Sequence, residues 1–367
     1  MHPELPVGAF LASLLVLVPL PWHWRARNAP TLSMMTWLFV SNMTYAINSI
    51  IWAGSLDEVV PVWCDITTKI DVGATAALPA SCLSLALQLW RVACAPHTTN
   101  KRSAFILDIV LCWGFPAIIM VLHYTFQGHR FDIIEDFGCR PTSYVSVPAI
   151  LLFYAPIASV VLLTFIFSGL AFTAFYKRRR TFTSFLQTTK SALTARRYVR
   201  LMAITTTLAV WDAAVLCLVS ALTFRTGLRP YTSWADVHSD FSRVDRYPTV
   251  FMPPALLFWT YVSWWTIPLS GLTFFCAFGL GEDAAKQYGP WFSRVAAPVA
   301  RIGLRRRARS KPAVSGASSN SSEAHIVLRK GEVDSVIDIG PDFSYDTSER
   351  FSESKDAEDS FTLQQHL

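Results

Sequence analysis

Apolar positions along the chain gather into long runs separated by short polar stretches. Stretches free of Asp, Glu, Lys and Arg cover Pro6 to Trp24, Ala29 to Leu56, Val72 to Trp90, Ile109 to Gln127, Pro141 to Tyr176, Leu201 to Phe224 broken only by Asp212, and Tyr247 to Gly281. Each is at least 19 residues long, and a helix crossing a ~30 Å hydrocarbon core needs about 20 residues. The two longest runs, Pro141 to Tyr176 and Tyr247 to Gly281, lack the central polar turn that two crossings would require, so the pattern predicts seven spanning helices. Pro79, Pro116, Pro156 and Pro268 lie inside the runs and predict kinks that open internal cavities.

Composition supports a bilayer as the solvent. Of 367 residues, 52% are hydrophobic and 16% charged, against about 25% charged in an ordinary globular chain. The mean hydropathy is +0.34. With 25 Phe and 13 Trp, most of the chain is also far from a disordered composition.

Lys and Arg set the expected orientation. With the N-terminus outside, the inner connections and the first part of the tail carry 21 basic residues and the outer connections 6. The inner set includes Arg91 after the third run, and Arg178, Arg179, Arg196, Arg197 and Arg200 in the third inner loop. Met1-His2-Pro3-Glu4 offers no positive n-region for a cleaved signal, so the first run is expected to remain as an anchor.

Four of the seven cysteines, Cys82, Cys112, Cys217 and Cys276, fall within apolar runs and read as small hydrophobes. Cys64 and Cys139 are the two on the oxidising side, where a disulfide between them is expected, two free thiols being the alternative. Cys94 has a juxtamembrane position suited to palmitoylation.

Three regions follow: a membrane domain over residues 1–281, a basic amphipathic membrane-surface helix over 282–309, and a Ser-rich acidic tail over 310–367 expected to be disordered. The basic helix reads as a lipid-surface element, not a nucleic-acid patch. Twelve serines in the tail suit phosphorylation or simple solvation equally well.

Charged and polar residues inside spans are costly, so they mark candidate sites. Asp65, Lys69 and Asp71 lie in the outer part of the third helix, with Asp65 and Lys69 at i, i+4 where they can pair. Asp212 lies near the centre of the sixth and, with Asn42, Asn48 and Gln88, is expected to build a polar interior. It reads either as a ligand or switch residue or as an interhelical clamp. Trp234 and Trp264 are candidate ligand contacts among outer aromatics that also include Trp52, Trp63, Trp259 and Trp265, the alternative being an interfacial belt.

Catalytic templates find no footing. The chain has no His-Glu-x-x-His, Gly-x-Ser-x-Gly or Walker sequence, and its last span lacks a Schiff-base lysine. No catalytic residue, metal ligand set or cofactor is assigned. A small-solute transporter remains the alternative, weakened by an odd span count without a repeat.

Three local motifs are more specific: Leu20-Pro21-Trp22-His23-Trp24-Arg25-Ala26-Arg27-Asn28, Trp63-Cys64-Asp65-Ile66-Thr67-Thr68-Lys69, and Leu193-Thr194-Ala195-Arg196-Arg197-Tyr198-Val199-Arg200-Leu201-Met202. Together they closely resemble the a-factor type of fungal mating-pheromone receptor, the class D G protein-coupled receptors, over about residues 5 to 280. The resemblance implies a seven-helix plasma-membrane receptor for a farnesylated peptide pheromone, coupled to a heterotrimeric G protein and a MAP-kinase mating pathway, with self-association left open. With that function in view, the intramembrane charges and outer aromatics make Asp65, Lys69, Asp212, Trp234 and Trp264 the expected ligand contacts, and the basic inner side makes Arg91, Arg178, Arg179, Arg196, Arg197 and Arg200 the expected coupling residues. Arg91 stands between Trp90 and Val92, so an acidic-Arg-Tyr switch does not carry over. The last residues, Gln364 to Leu367, hold no prenylation cysteine, so the chain is expected to read a prenylated signal, not to be one.

Overall fold

A computed structural model describes residues 2–94, 101–177, 195–225 and 227–279. Arg178, Arg179, the expected surface helix and the tail lie outside the described residues, and of Arg196 and Arg197 only the helical backbone is described. Seven helices of 14 residues or more occur among the described residues: α1 (Glu4–Leu17), α2 (Ala29–Ile51), α3 (Pro61–Cys94), α4 (Arg102–Phe126), α5 (Val147–Lys177), α6 (Ala195–Phe224) and α7 (Pro254–Gly279). Five of them, α3 to α7, are long and apolar enough to cross a membrane.

The first apolar run is not one helix. Pro19 has no N–H to donate to Leu15, whose carbonyl is taken instead by Val18 N at 3.2 Å; α1 stops at Leu17 and a separate short helix, Leu20–Arg25, follows. At 14 residues α1 is about 21 Å long, less than a full crossing. The helix α2 has the length, 23 residues, but turns Ser33, Ser41, Asn42, Thr44, Asn48 and Ser49 into the interior.

The centre of the bundle is α3, whose most apolar stretch is 83% buried against 11% for α6. It packs on α2, α4, α5 and α6, while α1 lies against α2 and α7. Small residues make this closeness feasible: Ala74, Ala76, Ala77, Ala80, Ser81 and Ser84 are buried, and a Cβ on Gly73 would meet Trp37 and Met120 within 3 Å. The outward faces of α4 to α7 expose Val121, Leu162, Val210 and Phe258, the surface a lipid-facing helix presents.

The proline positions act through local rearrangement. Pro116 leaves the carbonyl of Cys112 without its helical donor, and Ser33 Oγ (3.2 Å) and Trp37 Nε1 (3.4 Å) of α2 donate to it. A π-turn, Val110–Gly114, ends two residues before it, and a second, Ile150–Tyr154, ends two residues before Pro156.

A three-stranded sheet, not expected from the sequence, closes one end. Strands β1 (Phe131–Ile134) and β2 (Gly138–Arg140) form an antiparallel hairpin between α4 and α5, and β3 (Val244–Tyr247), between α6 and α7, pairs parallel to β1. Phe131 and Ile133 are fully buried beneath it with Trp52 and the Cys64–Cys139 disulfide, whose Cα atoms are 5.4 Å apart.

Candidate functional site

Beneath the sheet, the sheet-side halves of α2 to α7 line a cavity of about 510 Å³. Its upper wall is polar. Tyr45 Oη donates to Asp71 Oδ1 at 2.9 Å, and Arg140 Nη1 from β2 lies 2.5 Å from that same hydroxyl and 3.5 Å from Asp71 Oδ2. The guanidinium also lies over the Tyr45 ring, 5.0 Å from its centroid. This triad ties α2, α3 and the hairpin together and neutralises Asp71. The remaining walls are mostly apolar, with Leu78, Phe153, Leu216, Val219, Trp259 and Ile267 facing the space.

Asp212 lies on the deep part of the lining, next in sequence to Trp211, whose Nε1 donates to Ser270 Oγ at 2.7 Å and links α6 to α7. Its Oδ2 is buried with no hydrogen-bond partner among the described residues. The polar interior expected around it does not form, because each neighbour is engaged elsewhere. Asn42 Nδ2 donates to the carbonyls of Leu38 and Ile267, Asn48 Oδ1 accepts from Trp63 Nε1, and Gln88 Nε2 donates to Asp108 Oδ2. Asp108, which also accepts from Ser84 Oγ at 2.6 Å, is a buried carboxylate the sequence did not single out.

The expected Asp65–Lys69 pair is replaced by contacts across the bundle. Arg130 holds Asp65 through Nε at 2.9 Å and Nη2 at 2.6 Å. Lys69 Nζ donates to Gln127 Oε1 at 2.6 Å and to His123 Nδ1 at 3.1 Å, and His123 Nε2 meets Ser143 Oγ at 3.3 Å. A planar guanidinium satisfies a carboxylate with two parallel bonds, which a single ammonium one turn away does not. Lys69 therefore reaches the cavity only through His123, which lines it.

Trp264 is fully buried in a cluster with Leu5, Ala9 and Tyr45 and does not line the cavity. Trp234, in the short helix Trp234–Val237 between α6 and α7, is exposed and stacks on His238 at 4.0 Å between ring centroids. Of the five expected ligand contacts, Asp212 alone lines the cavity directly, while Tyr45 and Arg140, which the sequence reading passed over, form its polar wall.

Near the sheet, His129, Asp132 and Asp245 bring three ligand atoms within 4.8 Å of one another. Arg243 Nε already lies 3.0 Å from Asp245 Oδ1 there, and His129 Nε2 lies 2.6 Å from Asp132 Oδ1. Burial pushes the Asp132 carboxyl above its ordinary value.

At the opposite end, Tyr198 is buried at the start of α6, stacks on Phe175 of α5 and donates through its hydroxyl to the carbonyl of Leu89 on α3 at 2.9 Å. Arg200 Nη2 reaches the carbonyl of Ala277 on α7 at 3.4 Å. Arg91 has a buried Nη1 with no partner among the described residues.

The sequence matches the family model described as STE3, pheromone A receptor, over residues 4–297. It is 44% identical over 295 residues to the pheromone B beta 1 receptor of Schizophyllum commune, covering 78% of this chain and 54% of that protein. It is 30% identical over 296 residues to pheromone receptor 1 of Mycosarcoma maydis, covering 79% of this chain and 83% of that protein. A third relative, the pheromone M-factor receptor of Schizosaccharomyces pombe, is 30% identical over 214 residues, 54% of this chain and 57% of that one. The chain spans about half the length of the Schizophyllum receptors it matches. With the family model covering most of the sequence and apolar helices long enough to cross a membrane, the chain belongs to the STE3 pheromone A receptor family of membrane receptors.

Proposed function

We propose that the protein is a seven-span plasma-membrane receptor that binds a farnesylated peptide pheromone in the cavity beneath the sheet and signals through a heterotrimeric G protein to a MAP-kinase mating pathway. The observation that carries this reading is the cavity itself. About 510 Å³ of space, mainly apolar with a polar wall at Tyr45, Asp71 and Arg140, offers a lipid-modified peptide both of the surfaces it needs. In this reading the sheet-bearing end is outside, in keeping with the excess of 21 basic residues over 6 on the other side. Asp212 touches ligand, Lys69 acts through His123, and Asp65, Trp234 and Trp264 shape the outer architecture.

Arg91, Arg178, Arg179, Arg196, Arg197 and Arg200 then face the G protein. The loop from Lys177 to Arg200 carries eight basic and no acidic residues, a charge suited to an acidic partner surface. Agonism requires that the peptide bind the arrangement with α6 displaced more tightly than the resting one.

The test is expression in a fungal cell lacking its own receptor, challenged with farnesylated and unfarnesylated peptides while a mating-pathway reporter is read. A response that needs the farnesyl group and disappears without Gα is the expected result. Silence across a broad farnesylated panel, with surface expression and a compatible Gα confirmed, overturns the reading, and solute flux becomes the next assay.

A further inference from the structure

The cavity divides its charged groups into partnered and unpartnered ones. Asp71 is met by Tyr45 and Arg140, and His123 by Lys69 and Ser143. Asp212 differs from both: the side-chain donor at its carboxyl is the Cys82 thiol, a weak one. Its Oδ2 is buried without a hydrogen-bond partner among the described residues, while the residue as a whole stays partly exposed on the cavity lining. Beneath it lies a void of about 10 Å³ walled by Leu38, Leu78, Leu208 and Phe274 together with Cys82, Trp211 and Ser270, room for one water at most.

A buried carboxylate oxygen left without a donor costs free energy, and ionisable groups in spanning helices persist where a functional partner meets them. Of the two spaces that Asp212 lines, the cavity is the one with room for a ligand group. We propose, resting on the reading that this cavity takes the peptide, that Asp212 anchors a positively charged group of that peptide, a protonated amine or a guanidinium. The apolar walls at Leu216, Val219 and Ile267 accommodate the alkyl stem of a Lys or Arg side chain, and the cationic head ends at the carboxylate. Arg140 does not compete for that place, because it is held by Asp71 and Tyr45. Asp212 is on this account a specificity-determining contact: it selects peptides with a basic group over neutral ones of the same shape.

The test uses the full chain in the reporter cell and a synthetic set of farnesylated peptides differing at single positions, Lys or Arg against norleucine or citrulline, each with a free or acetylated N-terminus. Wild type is expected to prefer the cationic members. Asp212→Asn, matched for surface level, lowers their potency about 10- to 100-fold, the range of a charge-assisted hydrogen bond, and leaves the neutral members unchanged, so the two series converge. Asp212→Glu keeps the preference. Equal loss for charged and neutral peptides, no loss for either, or a wild-type receptor indifferent to peptide charge overturns the proposal, and the last result is decisive even where Asp212→Asn does not reach the surface. Wild-type silence to every farnesylated peptide is a separate outcome that overturns the receptor reading itself.

Discussion

Arg130 and Asp65 form a two-pronged ion pair, Nε to Oδ1 at 2.9 Å and Nη2 to Oδ2 at 2.6 Å, that bolts the loop ahead of β1 to the first turns of α3. Glu58 stands 3.8 Å from the same guanidinium, so the arginine faces two carboxylates at the rim of the bundle. Both side chains remain partly exposed, 32% and 41%, and water screens the pair. A double-mutant cycle with Arg130→Ala and Asp65→Ala is expected to give a coupling of about 1 kcal/mol or less, read from thermal unfolding of the purified receptor. A coupling near 3 kcal/mol would mean that the pair acts as a buried one.

The disulfide one residue before Asp65 carries more. Cys64 and Cys139 are 75 residues apart and join α3 to β2. Removing either cysteine is expected to cost about 2–5 kcal/mol and to reduce surface receptor. Cys64→Ser, Cys139→Ser and the double variant should lose the same amount, since each breaks the same bond; losses that add would show that the two sulfurs act independently.

Gly138 and Gly54 offer a controlled comparison. Both have positive φ, +83° and +64°, but a Cβ on Gly138 would lie 2.5 Å from the Asn48 Cβ, whereas nothing lies within 4 Å at Gly54. Gly54→Ala should cost about 1–2 kcal/mol for the left-handed backbone alone. Gly138→Ala adds overpacking of about 1–3 kcal/mol, and the thermal midpoints of the two variants test the difference. Equal midpoints would rule out the close approach of the hairpin to α2.

Tyr198 holds the start of α6 against α3 through its bond to the Leu89 carbonyl. Tyr198→Phe keeps the ring stacked on Phe175 and deletes only that bond, worth about 0.5–1.5 kcal/mol. If α6 moves on activation, the variant should raise basal reporter output several-fold at equal surface level. Unchanged basal output would separate this bond from the switch.

The sheet has a defined pH response. Burial raises the Asp132 carboxyl in the folded protein, so the fold holds that proton more tightly than the unfolded chain does. Between the ordinary carboxylate value and the raised one, the sheet should lose stability as pH rises, and Asp132→Asn should flatten that slope. Amide exchange in β1 and β3, followed from about pH 4 to 7, measures it; protection that grows with pH in wild type would contradict the sign.

Run length and residue type alone determined the helical character of this chain, because a span of about 20 apolar residues is a local property that the bilayer imposes on every such segment. The local motifs around Trp22, Cys64 and Arg197 likewise carried the family without any contact being known. The break at Pro19 was also written locally, in a missing N–H, although apolar counting passes over it. The pairing of charges was decided only in three dimensions. Spacing along α3 put Lys69 beside Asp65, yet Arg130, 65 residues away, takes that carboxylate, and Arg140 takes Asp71. The sheet is a tertiary product too, since β3 pairs with β1 across more than a hundred residues and their short strands have no run length to announce them. Asp212 stood out in the sequence as a charge in an apolar run, but that its oxygen is left unpaired at a cavity depended on where Asn42, Asn48 and Gln88 found closer partners. Hydropathy is additive along a chain and legible there, whereas hydrogen bonds and ion pairs are exclusive, short-ranged and settled by which groups the packed helices bring within about 3 Å.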